Sequence, residues 1–91
     1  MLEKKWRVKL SKSALKHLKA IEIKKSQKIL NALEELEKLD NPVLHENIRP
    51  LMGKLKGYYR LRVADYRIIF ELDKRDKRIG VHIIVHRGSA Y

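Results

Sequence analysis

The sequence contains no cysteine, which excludes disulfides, zinc–thiolate centres and cysteine nucleophiles. Proline and glycine are scarce, at two and four, and none falls between Ser11 and Leu39. No apolar run approaches the ~18 residues needed to span a bilayer. The opening stretch MLEKKWRVKL lacks the apolar segment of a signal peptide. These absences lead to the expectation of a soluble, cytoplasmic protein with no membrane partner. At 91 residues the chain is expected to be a single domain, 1–91. Its 44% hydrophobic content separates it from compositional disorder.

Acid is also in short supply: 22 Lys+Arg stand against 11 Asp+Glu, for a net charge of +11. A solvated, heat-adapted surface is one reading, but such surfaces mix both signs. The imbalance favours an anionic partner, nucleic acid first. Lysine is spread along the chain, whereas seven of the eight arginines lie at or after Arg49. Arginine's planar fork suits phosphate better than lysine's point charge does, so the second half is the better candidate for an anion site.

WRVKL (Trp6 to Leu10) alternates apolar and basic residues and reads as a strand. Ser11 is a candidate helix N-cap. Leu15, Leu18 and Ile21 fall on one helical face, and Ile29, Ala32, Leu33 and Leu36 form a second stripe. The polar EIKKSQK between them predicts a bend, hence a helical hairpin. DNP (Asp40 to Pro42) stops the second helix, and residues 40–53 read as loop. Strands follow at about 56–63, 66–72 and 79–86. The order predicts an α+β fold: a strand, a helical hairpin and a three-stranded antiparallel meander, with helices covering one face of the sheet.

Alternation along LKGYYRLRVADYRIIFEL sets the register of the hairpin. Tyr59, Leu61 and Val63 share one face, as do Tyr66, Ile68, Phe70 and Leu72. Pairing Leu61 with Ile68 sets Arg62 opposite Arg67 and Arg60 opposite Ile69. Like charges in register are destabilising, and a one-residue slip would expose the apolar set. Three arginines thus converge on the sheet face away from the helices. They read either as a solvated face partnered by Glu71 or as an anion cradle whose repulsion a phosphate relieves. Tyr58 and Tyr59 are candidates for base stacking, with Tyr59 assigned to the core by parity. If Val81, Ile83 and Val85 face the core, Arg87 joins the arginine face only where the last strand ends, bulges or twists near His86.

The segment LMGKLKGYYRLRVADYRIIFEL, followed by a final strand and HRGSAY, resembles the RelE/ParE superfamily of toxin–antitoxin systems, in particular its RelE-like members. The N-terminal VKLSKSALKHLK is similar to the family's opening strand and helix, so the resemblance covers essentially the whole chain. Ala64 departs from the glycine that many members carry in the turn. The resemblance implies a fold similar to microbial ribonucleases and a toxin that cleaves mRNA in the ribosomal A site. It implies a cognate RelB-like antitoxin that wraps the toxin, with a toxin–antitoxin heterotetramer among the assemblies it allows. ParE members instead poison DNA gyrase and lack the ribonuclease residues. A degenerate basic domain that binds only RNA or its antitoxin is a third reading.

Carried over residue by residue, the family's basic second-strand positions fall on Arg60 and Arg62, and the arginine of its YR motif on Arg67. The arginine after the last strand falls on Arg87, and the C-terminal tyrosine near Tyr91. These five are the expected catalytic set. Lys54, Lys56 and His86 are expected RNA contacts. Arginine stabilises charge on a phosphorane but is a poor base. Tyr91 is the favoured base if cations around it favour its phenolate; His86 is the other candidate, since histidine titrates near neutrality. The expected product is a 2′,3′-cyclic phosphate, formed with no cofactor or metal. His17, His45, His82 and His86 form no metal-ligand spacing. His17 reads as a surface residue, and Glu34 to Asp40 as a solvated helix face.

Overall fold

The computed structural model describes residues 4–88. Tyr91, the expected base, lies outside the described residues. Strand β1 (Arg7–Leu10) is followed by helices α1 (Lys12–Ala20) and α2 (Ile23–Glu37), then by strands β2 (Ile48–Pro50), β3 (Tyr59–Val63), β4 (Tyr66–Asp73) and β5 (Arg78–His86). The sheet order is β1-β5-β4-β3-β2. The expected meander is β3–β4–β5, antiparallel throughout. β1 joins it in parallel beside β5, so the sheet is mixed. Among the described residues no helix is long and apolar enough to cross a membrane.

Ser11 caps α1, its Oγ accepting from the Ala14 amide at 2.9 Å. The helix break comes at Ile21 and Glu22, at the start of the polar stretch, with no glycine or proline to mark it. Both helices lie against one face of the sheet, α1 over β5 and β1, α2 over β1 and β3. Ala14 and Leu18 from α1 and Ile29, Leu33 and Leu36 from α2 meet Leu61, Ile68, Phe70, Ile79, Val81 and Ile84 of the sheet. Leu15 does not join them and is 42% exposed; Ala14, one turn before Leu18, takes the inward position.

Three further expectations need correction. Residues 40–53 are not all loop, because β2 pairs with β3 and buries Ile48 opposite Leu61. Glu37 is not on a solvated face: it is buried, its Oε2 accepts from the Val8 amide at 2.9 Å, and its Oε1 lies 3.2 Å from Lys4 Nζ. A buried carboxylate needs such partners, and here they close the outer edge of β1. His17 is half-buried, and its Nδ1 accepts from the Ile84 amide at 3.3 Å.

The last strand holds the feature that decides the site. Ile69 pairs with Ile83 but its neighbour Phe70 pairs with Val81, which leaves His82 unopposed in a β-bulge. One extra residue inverts the alternation of everything after it. Val81 is therefore buried in the core and so is Ile84, while Ile83 and Val85, expected to point inward, are only half-buried on the other face. α1 braces the bulge: Ser11 Oγ donates to the His82 carbonyl at 2.6 Å.

Candidate nucleic-acid interface

The hairpin register is the one that alternation predicts. Leu61 pairs with Ile68, Arg62 with Arg67 and Arg60 with Ile69. The apolar pair faces the helices, so the arginines face away from them. The turn is made by Ala64 and Asp65, with Ala64 at φ +52°, where glycine is the easier residue.

The bulge then brings Arg87 into place. Arg67 pairs with Val85, and Arg87 lies two residues further on the same face. Its amide donates to the Asp65 carbonyl at 2.7 Å, holding the end of β5 against the turn. Its Nε lies 3.7 Å from Asp65 Oδ1. Arg62, Arg67 and Arg87, with Ala64 and Tyr66, line one cavity of about 210 Å³. Arg67 Nε is buried without a hydrogen-bond partner among the described residues. A donor so placed carries a desolvation cost that an incoming anion removes. Guanidinium forks converging on one space fit an oxyanion with several acceptor oxygens.

The other expected residues are placed as follows. Arg60 is half-buried beside this cluster, between Ile69 of β4 and Arg49 of β2. Lys54 and Lys56 are exposed ahead of β3. His86 does not join the arginines: it pairs with Tyr66, meets that ring edge-on at 5.5 Å, and so stands on the opposite face. Tyr59 stacks on Phe70 at 5.6 Å, on the core side. Tyr58 lies on the arginine side against His82, ring centroids 5.0 Å apart. Among the described residues no group of three or more His, Asp or Glu could hold a metal ion.

Sequence reasoning missed part of this face. Arg49 reaches it through β2, directly opposite Arg60. Arg7 reaches it through the parallel pairing with Arg78, and Lys9 through its pairing with Gly80. The alternation of RVKL puts Arg7 and Lys9 on one side, but only the pairing tells which side.

The comparisons agree with this architecture. Residues 8–91 match the family model of the ParE toxin of the type II toxin–antitoxin system parDE. The archaeal RelE–RelB complex from Pyrococcus horikoshii OT3 contains a similar chain: 31% identity, TM-score 0.77, covering 94% of this chain and 99% of that one. The RelB–RelE antitoxin–toxin complex from Methanococcus jannaschii matches at 26% identity and TM-score 0.70, covering 87% of this chain and 89% of the other. The E. coli RelBE complex, at 14% identity and TM-score 0.70 over 89% of this chain and 95% of that one, shares the fold. No curated protein sequence matches significantly. A helix-backed mixed sheet, an arginine cluster at its hairpin and a family match over nearly the full length give one conclusion: the chain is a toxin of the RelE/ParE superfamily of type II toxin–antitoxin systems.

Proposed function

We propose that this toxin is a ribosome-dependent endoribonuclease that halts translation by cutting mRNA. The observation that carries the reading is the convergence of Arg62, Arg67 and Arg87 on one cavity. The substrate's own 2′-OH attacks the adjacent phosphorus, forming the new P–O bond. Charge builds on the phosphorane oxygens, where the guanidinium groups stabilise it. The bond to the 5′-oxygen then breaks, leaving a 2′,3′-cyclic phosphate and a 5′-OH. The proton leaves the 2′-OH to a base, for which Tyr91 is the candidate, and one returns to the departing 5′-oxygen. Metal is not required in this scheme.

A cognate, RelB-like antitoxin is the proposed partner, in line with the antitoxin complexes formed by the archaeal relatives. Ribosome and message are the proposed targets. The test is a cell-free translation system: the toxin should stop synthesis and leave cuts in ribosome-bound message. A second reading follows from the family model, whose description is that of ParE. There the same basic face inhibits DNA gyrase and cuts nothing. Continued translation with arrested supercoiling would select it and reject the nuclease.

A further inference from the structure

The arginine cluster occupies one end of the sheet face, and a different cluster occupies the other. Glu71 lies four residues along β4 from Arg67, about 13 Å away on the same side. Its Oε1 is 3.4 Å from His82 Nε2, and its side chain remains about half exposed. That Nε2 is buried with no hydrogen-bond partner among the described residues. The Tyr58 ring stands against the His82 imidazole, inclined at 77°.

Gly80, the partner of Glu71 on β5, is the informative residue. Its backbone is outside the left-handed region, and a Cβ there would meet Glu71 at an ordinary 3.5 Å. Neither conformation nor packing requires glycine, and glycine weakens a strand interior. What its bare backbone does is leave the carboxylate uncovered. A cavity of about 200 Å³ opens there, lined by Glu71 and His82, with Ser11, Lys9 and Arg78 around it. A mid-strand glycine is found beside a bulge or where a ligand or another backbone approaches closely; here the bulge at His82 lies two residues on, and the cavity leaves room for a ligand as well.

The chemistry of the cavity selects the ligand. A carboxylate accepts two side-by-side hydrogen bonds. Among the RNA bases only guanine presents two adjacent donors, N1–H and the N2 amino group. Adenine and cytosine set one amino group beside an acceptor, and uracil sets its N–H between two carbonyls. His82 supplies a ring surface for stacking within the cavity, with Tyr58 set edge-on against it just outside the lining, and Lys9 and Arg78 supply charge for the nucleotide's phosphate. We infer that Glu71, with Tyr58 and His82 over Gly80, forms a guanine-reading subsite for an RNA strand crossing this face. The inference rests on the reading of the face as an RNA surface. The base held here belongs to a nucleotide about two positions from the phosphate at Arg67, given the ~13 Å separation.

The test titrates the full chain with the 5′-monophosphates of guanosine, adenosine, cytidine and uridine, following backbone amide shifts by NMR. Guanosine monophosphate should move the Gly80 and His82 amides and bind about tenfold or more tighter than the others. Gly80→Ala should cover the carboxylate and abolish that preference without lowering the melting temperature. Glu71→Gln, which replaces one acceptor by a donor, should abolish it as well. An equal response to all four nucleotides would mean that only phosphate is being bound and would overturn the subsite. So would a guanine preference that survives both substitutions. Because no cleavage is needed, the two readings separate. A guanine preference in a chain that never cuts message supports the subsite and rejects the nuclease. Cutting with no nucleotide preference rejects the subsite alone.

Discussion

Arg62 and Arg67 stand directly opposite each other across β3 and β4. Paired like charges destabilise a sheet, by roughly 0.2–1 kcal/mol. The register cannot slip to relieve them, since a one-residue shift would carry Leu61 and Ile68 out of the core. Replacing Arg62 by alanine should therefore leave the melting temperature unchanged or slightly raised, while cleavage of ribosome-bound message falls ~10²-fold or more. Thermal melting and cleavage measured side by side check this. A clear loss of stability would show that the pair is not repulsive in the folded protein.

Arg87 is the sharpest single case. Its side chain is 70% exposed and its charged contact is with Asp65, so Arg87→Ala should fold normally. Cleavage should nevertheless fall by ~10² or more, the usual cost of losing a preorganised donor. Arg87→Lys should recover little, because a point charge cannot make the two-pronged contact. Near-normal cleavage by a folded Arg87→Ala would remove the residue from the site.

Ser11 serves two elements with one hydroxyl: it caps α1 and donates to the His82 carbonyl in the bulge. Loss of an N-cap alone costs about 1 kcal/mol, and the orphaned carbonyl adds to that. Ser11→Ala should lower the melting temperature by more than the ~4–8 °C that corresponds to 1 kcal/mol in a domain of this size. A change within error would mean that the bulge does not depend on α1.

Ala64 holds a positive φ in the hairpin turn, a conformation that costs a residue with a Cβ roughly 1–2 kcal/mol. Ala64→Gly should raise thermal stability without changing the arginines. A lower melting temperature would show that the turn's strain is offset by packing of the methyl group.

The parts of the fold that could be read from sequence are those where one alternation decides the answer. Leu61 and Ile68 fix the hairpin, because a one-residue slip would strand apolar side chains in water and the two-residue Ala64–Asp65 turn selects among the registers that remain. Ile29, Leu33 and Leu36 mark the inner face of α2 for the same reason. The strand at Ile48–Pro50 was hidden because it is short and ends in proline, leaving no period to detect. Glu37 was hidden because its role is set by Val8, 29 residues earlier in the chain. The arginine pair was legible, whereas Arg49 beside Arg60 and Arg7 at the far end of the same face were not, since their side of the sheet depends on long-range pairing.

The bulge also determines where this chain can change length. Upstream of His82, the turn after Asp73 joins two strands in solvent, and its tip is exposed. A residue gained or lost at its tip, ahead of Lys77, would leave the inward residues of both strands in place; Lys77 itself is held, its carbonyl accepting from the Arg7 amide at 2.9 Å and its ammonium lying over the Trp6 ring. Between Ile83 and Arg87 no such slack exists. One residue added before Ile84 would carry Val85 and Arg87 towards the helices and Ile84 towards the arginine face, exchanging a buried aliphatic for a cation. Drift in length should thus be common in the loop after β4 and rare in the five residues before Gly88, even though both segments lie at the surface end of a strand.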